Sequence, residues 1–139
     1  MARIRDIAAV CKSKNAGPFE LTIDVVFDDP ALFDKVKRTR VLGPDLFARL
    51  YGVRAEDVLF TVYDAALAFK ATLPRLVPAG DIGDTDVYGA QQHGPLLDVE
   101  IPIRFPLHRE FSRKNRLAVV VRRSTNYANQ LLATLTESP

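Results

Sequence analysis

The chain has 139 residues, which is enough for one domain with a buried core but short for two independent domains. Hydrophobic residues make up 47% and charged residues 26%, ordinary globular proportions that exclude wholesale disorder. A net charge of +2 is too small to indicate a nucleic-acid or membrane surface by itself. We therefore predict a single domain over residues 1–139, with no nucleic acid and no membrane as partner.

Cysteine content and hydropathy narrow the class of protein further. Cys11 is the single cysteine, which excludes an intramolecular disulfide and a cysteine-based zinc site. The first residues lack the apolar core of a signal peptide, and no apolar run approaches the ~18 residues that span a bilayer. These features predict a cytoplasmic protein. Residues 104–139 form a basic C-terminal extension with seven basic and two acidic residues, which suits nucleic acid or an acidic partner surface.

The first part of the chain predicts a strand, a loop and a second strand. Apolar positions in residues 3–11 fit neither secondary-structure period cleanly, and we expect a strand there rather than a short helix. Residues 12–20 contain asparagine, glycine and proline and predict a loop. Residues 21–27 alternate, which predicts a strand whose apolar face is formed by Leu21, Ile23, Val25 and Phe27.

Two helices are predicted next. Asp28 and Asp29 offer an N-cap carboxylate and Pro30 suits the first helical position, so a helix begins here. Its apolar stripe is formed by Leu32, Phe33 and Val36. A second, short helix follows Gly43 and Pro44, and Gly52 lies where a left-handed C-terminal residue is expected. The stripe of this helix is formed by Leu46, Phe47 and Leu50.

The second half of the chain predicts more strands and one more helix. Residues 58–73 suit either one strand with a bend near Asp64 or two strands. Residues 97–105 alternate and predict a strand in which Pro102 marks an edge or a bulge. Residues 117–121 predict a buried strand, and Ser124 or Thr125 suits the cap of a last helix with Leu131, Leu132 and Leu135 on its inner face. Together these elements predict the α+β class.

The most polar and glycine-rich stretch of the chain is Gly83–Pro95, which contains three of the seven glycines. Such backbone is typical of a segment that approaches a ligand or a partner chain closely. His93 is the predicted general acid or base, because an ordinary imidazole titrates near pH 6.5. A loop histidine that only bonds to backbone is the alternative interpretation.

The remaining polar side chains of this stretch suit binding. Asp84 and Asp86 could hold a cation or orient His93, but the further ligands of a calcium loop are missing, so turn-forming aspartates are favoured and no metal is predicted. Gln91 and Gln92 each offer two donors and an acceptor, which suits a substrate carboxylate, amide or carbonyl, or a partner subunit.

A second polar loop lies earlier in the chain. Lys14 and Asn15 beside Gly17 predict an anion-binding turn with Lys14 as the counter-charge. We expect the two loops to converge at one edge of a sheet, which makes Lys14 and His93 the predicted catalytic pair. Lys70 and Arg75 flank a strand end, where they could bind a substrate carboxylate through charge-assisted hydrogen bonds, but a plain surface position is favoured. The residues predicted to bind substrate are Ser13, Asn15, Glu20, Asp84, Asp86, Tyr88, Gln91 and Gln92.

The two loops also carry a resemblance to a known family. The motifs Ser13–Thr22 and Gly83–Leu97, with Lys70–Arg75 between them, resemble the domain of unknown function 4387 family over about residues 3–103. That family is similar to the C-terminal domain of acyclic terpene utilisation (AtuA-like) proteins. The resemblance implies a ferredoxin-like mixed or antiparallel sheet packed by two or three helices. The early Arg-Ser-Gly-Asp-Lys-Gly loop of the AtuA-like domain corresponds here to Lys12–Gly17, which lacks the acidic residue.

The resemblance implies a partner and a type of chemistry as well. Family members are typically encoded beside an AtuA-like protein, which implies a two-component lyase, hydratase or isomerase acting on a carboxylic acid or acyl-CoA. Since no nucleotide or metal motif accompanies the polar segments, no cofactor is predicted. This chain would be the small subunit, with both loops at an interface active site. A non-catalytic ligand-binding or scaffolding module is the alternative, because the chain lacks a complete set of acid, base and nucleophile. A homo-oligomer with its own activity is a third option.

Overall fold

A computed structural model describes residues 1–104 of the chain, and its main feature is a four-stranded antiparallel sheet. The sheet has the order β2-β3-β5-β4. Its strands are β2 (Val10–Asn15), β3 (Glu20–Val26), β4 (Leu59–Tyr63) and β5 (Ala68–Pro74). A two-stranded antiparallel sheet pairs β1 (Ala2–Arg3) with β6 (Glu100–Ile101).

Helices connect the strands and cover one face of the larger sheet. They are α1 (Ile4–Ile7), α2 (Pro30–Thr39), α3 (Pro44–Tyr51) and α4 (Gly94–Leu97), with single 3-10 turns at Ala55–Asp57 and Asp64–Ala66. The core lies between the sheet and helices α2 and α3, and its centre is a cluster of aromatic rings with centroids 5.0 to 6.3 Å apart. Edge-to-face and offset ring pairs of this kind add to the stabilisation that burial provides.

The predicted α+β class is confirmed for the described residues. An antiparallel sheet carries helices on one face, and the likeness to ferredoxin-like domains lies in this layering. The connections run hairpin, helices, hairpin, rather than in the β-α-β-β-α-β order of that fold. In the order β2-β3-β5-β4, strands β2 and β4 are the two edges of the sheet.

Strong local signals in the sequence are confirmed. The Asp29 carboxylate accepts from the backbone N–H of Ala31 at 2.8 Å and caps α2, and Pro30 is the first helical residue. Gly52 ends α3 in the left-handed conformation. Residues 58–73 form two strands rather than one, because the 3-10 turn Asp64–Ala66 reverses the chain between them.

Two predictions near the N-terminus are wrong. Residues 4–7 form a helical turn rather than a strand, since Ile4 and Ile7 are both buried at helical spacing. The predicted loop 12–20 is mostly strand, because β2 continues to Asn15 and β3 begins at Glu20. The sequence of β2 does not have the apolar alternation of a typical strand, because one of its faces is solvated and the other contacts the loop described below.

The predicted strand over residues 97–105 is much shorter in the structure. Residue Leu97 ends α4, and only Glu100–Ile101 pair with another strand. The side chains still alternate between buried and exposed positions, since Ile101 and Ile103 are buried and Pro102 is exposed. The predicted strand 117–121, the last helix and nearly all of the basic extension lie outside the described residues.

Candidate functional site

The long segment that follows β5, residues 75–93, folds as an ordered loop against the free edge of β2. We call it the polar loop. The backbone N–H of Asn15 donates to the carbonyl of Tyr88 at 3.1 Å, as a further strand would. The side-chain amide of Asn15 donates to the carbonyl of Val87 at 2.6 Å. The convergence expected for the two polar segments is therefore present at the edge of the sheet.

Arg75 is the centre of the hydrogen bonds that hold the polar loop. Its guanidinium donates to Asn15 Oδ1 at 2.6 Å, to Asp84 Oδ1 at 2.8 Å and to the carbonyl of Asp86 at 3.1 Å. A fourth bond runs from Nε to the carbonyl of Val77 at 3.0 Å. The side chain is only 6% exposed, so the expected surface position of Arg75 is wrong. A planar fork of donors suits this role, because it can bind several acceptors at fixed angles.

Asp84 faces Arg75 and is itself almost completely covered. Its side chain is 2% exposed. The backbone N–H groups of Gly80 and Asp86 each donate to it at 2.8 Å. These two bonds, together with the Arg75 charge, outweigh burial and hold the pKa of the Asp84 carboxyl below its usual value. Asp84 is therefore an ionised carboxylate that organises the turn around it.

Asp86 likewise organises the backbone of the residues that follow it in the polar loop. Its carboxylate accepts from the backbone N–H groups of Ala90 and Gln91 at 3.1 and 2.8 Å, and from Gln92 Nε2 at 3.0 Å. Burial alone would raise the pKa of Asp86, but these bonds outweigh it and the pKa is lowered. The structure thus supports turn-forming aspartates over a cation loop. Within residues 1–104 no group of three carboxylate, thiol or imidazole side chains is arranged to hold a metal ion.

Ser13 and His93 meet where the polar loop crosses β2. The buried Ser13 hydroxyl donates to the carbonyl of Gly89 at 2.5 Å and accepts from the backbone N–H of His93 at 3.1 Å. His93 Nδ1 lies 3.4 Å from the same oxygen. Since the single hydroxyl proton is directed to Gly89, a bond between this pair requires the proton on Nδ1. The Ser13 hydroxyl thus holds the polar loop on β2. With Nδ1 facing Ser13, Nε2 is the nitrogen of His93 that is left to accept a proton.

Lys14 does not join this group. Alternation along β2 places Ser13 and Asn15 on one face and Lys14 on the other, where it pairs in register with Thr22. Lys70 is on that same outer face and lies 3.6 Å from Asp24. The structure therefore separates Lys14 from His93 by the thickness of the strand, and the predicted catalytic pair does not form within this chain.

The other predicted binding residues lie at the surface of this end of the molecule. Glu20 begins β3 opposite Pro74 and is exposed. The side chains of Tyr88 and Gln91 are exposed, while their backbone groups bond within the loop. Tyr88 belongs to a larger set of exposed apolar side chains at this end, which we call the apolar rim: Phe19, Leu76, Val77, Ile82, Val87 and Tyr88.

A pocket of about 250 Å³ lies between the end of β5, helix α3 and the polar loop. Its lining combines apolar side chains such as Leu21 and Leu73 with polar ones such as Thr85. Of the predicted site residues, Asp84 and Gln92 line it. Tyr51 lines it as well and donates its hydroxyl to the carbonyl of Gln92 at 2.7 Å. Burial, with a smaller effect of the nearby Cys11, raises the pKa of the Tyr51 hydroxyl. Tyr51 is therefore neutral and ties α3 to the loop.

Three residues, Tyr51, Arg75 and Gly89, build this site in ways that the sequence does not predict. Tyr51 follows an ordinary helical stripe, and no local signal separates it from a core aromatic. Arg75 is followed by five uncharged residues before the first aspartate, Asp81, so its sequence neighbours do not predict the ion pair with Asp84. Gly89 packs so closely on β2 that an added Cβ would lie 2.5 Å from Asn15 Oδ1 and 2.9 Å from Leu21 Cδ1. A glycine between two polar clusters indicated this close approach only in general terms.

The fold and the site define a small α+β domain whose ordered polar loop is docked on a sheet edge. In the comparison with known proteins, the family model described as Domain of unknown function (DUF4387) matches residues 4–100. The chain belongs to that family. No curated protein and no solved structure matches the chain. Among residues 1–104, no helix combines the length and apolar character needed to cross a bilayer.

Proposed function

We propose that this chain is the small subunit of a two-component assembly with an AtuA-like protein, and that the apolar rim and the polar loop form its contact surface. The assembly acts as a lyase, hydratase or isomerase on a carboxylic acid or its CoA thioester. The observation that carries the proposal is the contrast between the inside and the outside of the loop. The charged side chains of Arg75, Asp84 and Asp86 bond within the loop, while Ile82 and Tyr88 are left in solvent.

Exposed apolar groups on an ordered loop favour a protein partner. Large apolar side chains grouped at one end of a small domain are typical of interaction surfaces. The bonds of Arg75, Asp84 and Asp86 fix the loop before binding, which reduces the conformational entropy lost on association. The pocket beside the loop gives such an interface a place for a small ligand between the two chains.

Within this assembly, the geometry favours a supporting role for most of the predicted site residues. Ser13, Asn15, Asp84 and Asp86 are each engaged in bonds that hold the loop, and a group so engaged is poorly placed to bind substrate. Among residues 1–104, His93 is the one histidine, and its Nε2 is not engaged in holding the loop. The alternative proposal, a non-catalytic binding module, is favoured if the partner supplies every reacting group.

The test begins with the full chain and an AtuA-like protein purified separately and then mixed. A stable complex, with activity on hydroxy acids, unsaturated acids or their CoA thioesters, is the expected result. His93→Ala then separates the two roles. A catalytic His93 predicts a loss of at least about a hundredfold in kcat with the complex intact, since general acid-base catalysis contributes about that much.

Two outcomes distinguish the hypotheses further. A kcat within about threefold of wild type for the His93→Ala complex would assign the chemistry to the partner and make this chain a binding module. Lys14→Ala serves as the matched variant on the other face of β2, and we expect it to leave kcat unchanged. A large loss with Lys14→Ala would mean that the active site includes the outer face of the sheet.

A further inference from the structure

The two edges of the four-stranded sheet differ in how they are protected. The edge formed by β2 carries Lys12 and Lys14 and is partly covered by the polar loop through the bond from Asn15 to Tyr88. The edge formed by β4 has the sequence Leu59-Phe60-Thr61-Val62-Tyr63, which contains no charged residue and no proline. Charges, proline and covering segments are the usual means by which proteins prevent edge-to-edge pairing. Edge β4 has none of them within residues 1–104.

The register of the sheet shows which backbone groups this edge leaves open. In an antiparallel ladder, successive residues direct their N–H and C=O groups to opposite sides. The bond that Asn15 donates off the edge of β2 fixes this alternation across all four strands. Leu59, Thr61 and Tyr63 therefore bond to β5, and Phe60 and Val62 direct their N–H and C=O groups outward.

We propose that β4 pairs with β4 of a second copy of this chain, so that two four-stranded sheets join into one eight-stranded antiparallel sheet about a two-fold axis at Thr61. An antiparallel strand centred on a non-hydrogen-bonded residue is its own complement. With Thr61 opposite its copy, Phe60 of one protomer lies opposite Val62 of the other. Each of these two pairs exchanges both of its outward N–H···O=C bonds.

Side chains match in this register. Leu59 and Tyr63 lie on the solvated face of the sheet, with 69% and 49% of their surfaces exposed. Two-fold pairing places each Leu59 against Tyr63 of the second copy, an aliphatic-aromatic pair that stabilises antiparallel sheets. Phe60 and Val62, half-buried at the border of the core, form the corresponding pairs on the other face. Beyond the strand, Asp64 comes opposite the uncharged Val58, so no like charges oppose each other.

The dimer is independent of the proposed contact with an AtuA-like protein, because β2 and β4 are opposite edges of the sheet. A second copy bound at β4 leaves the polar loop free. In an assembly with two small subunits at its centre and a partner at each end, both the β4 edge and the apolar rim are in contact with another chain.

Charge variants at Thr61 test the proposal on the full chain. Sedimentation equilibrium of the wild type is expected to give about twice the 15.5 kDa of one chain. Thr61→Lys and Thr61→Glu each place like charges against each other at the two-fold axis, and each is expected to give the mass of one chain. An equal mixture of these two variants restores opposite charges and is expected to recover the dimer. Thr72→Lys, on the neighbouring inner strand, is the control and is expected to stay dimeric.

Hydrogen exchange distinguishes loss of the dimer from unfolding of a variant. In the dimer the amides of Phe60 and Val62 are protected, and Thr61→Lys is expected to remove that protection while leaving the amides of β3 protected. A wild type with the mass of one chain at about 100 µM would overturn the proposal, whether the two amides are open or are covered by residues 105–139. A dimer that Thr61→Lys and Thr61→Glu leave intact would also overturn it.

Discussion

Replacing Gly89 by alanine tests whether the polar loop is held as tightly on β2 as its contacts indicate. Gly89 has a φ of +66°, which an alanine adopts at a cost of about 1 to 2 kcal/mol. The new Cβ would also lie 2.5 Å from Asn15 Oδ1 and 3.1 Å from Asn15 N. Asn15 cannot easily move away, because the same side-chain oxygen accepts from Arg75. Overpacking of this kind costs a further 1 to 3 kcal/mol, roughly.

Gly80→Ala is the matched control in the same loop. Gly80 has a φ of +83°, yet an added Cβ would meet no atom within 4 Å. Both variants bear the backbone cost, and only Gly89→Ala bears the steric cost. We therefore expect Gly89→Ala to lower the free energy of unfolding by about 1 to 3 kcal/mol more than Gly80→Ala does. Urea unfolding measures both values directly.

A looser loop would give a different result. If Gly89→Ala and Gly80→Ala agree within about 0.5 kcal/mol, the contact between Gly89 and β2 does not persist in solution. Exchange of the Asn15 amide provides a local check, since its proton bonds to Tyr88 only while the loop is docked. We expect that amide to exchange faster in Gly89→Ala, and unchanged exchange would refute the docked arrangement.

Two further predictions concern titratable groups. The Asp84 pKa is lowered in the folded chain, so its contribution to stability is present above the unfolded pKa of about 3.9 and is lost as the pH falls through the folded value. Asp84→Asn should therefore be less stable than wild type at pH 7 but converge with it in acid, and parallel urea curves at all pH values would contradict this. Burial raises the pKa of the Cys11 thiol to about 11, so at pH 8 its reaction with a disulfide reagent should be roughly a hundredfold slower than in urea-unfolded chain. Equal rates before and after unfolding would contradict the burial of this thiol.

The elements that sequence alone predicts well are those with short-range physical causes. Asp29 caps a helix because its carboxylate accepts from the next turn, and this signal lies within three residues. The alternation in β3 and the left-handed Gly52 are equally local. Each of these predictions needs no knowledge of the rest of the fold.

The errors arise where long-range contacts decide the structure. β2 has the composition of a loop because one face is solvated and the other bonds to residues about 75 positions away, as Ser13 does with Gly89. Arg75 is buried because Asp84 and Asn15 surround it, which its own neighbours in sequence do not reveal. Lys14 lies apart from His93 because successive residues of a strand face opposite sides of the sheet. A segment predicted to be a loop gives no such alternation, so the sequence could not assign Lys14 to a face.

The sequence predicted which polar segments meet, and the substrate-binding roles given to their residues stay predictions. Residues 83–95 do meet the Ser13–Asn15 segment, as the two polar motifs suggested. Several of the polar side chains, Asp84 and Asp86 among them, hold the loop itself. A polar segment that must remain ordered in water needs internal donors and acceptors, and sequence alone does not distinguish these from groups that await a ligand.

Titration of the wild-type chain with a purified AtuA-like protein, followed by titration of Ile82→Ser and Tyr88→Ser, measures whether the apolar rim binds this partner. A complex is expected for the wild type, with at least about tenfold weaker binding for each rim variant. Thr61→Lys, at the opposite edge of the sheet, should retain the wild-type affinity for the partner. No association at concentrations up to about 100 µM, or association that Ile82→Ser and Tyr88→Ser leave unchanged, would contradict the assignment of this end of the molecule as the partner surface.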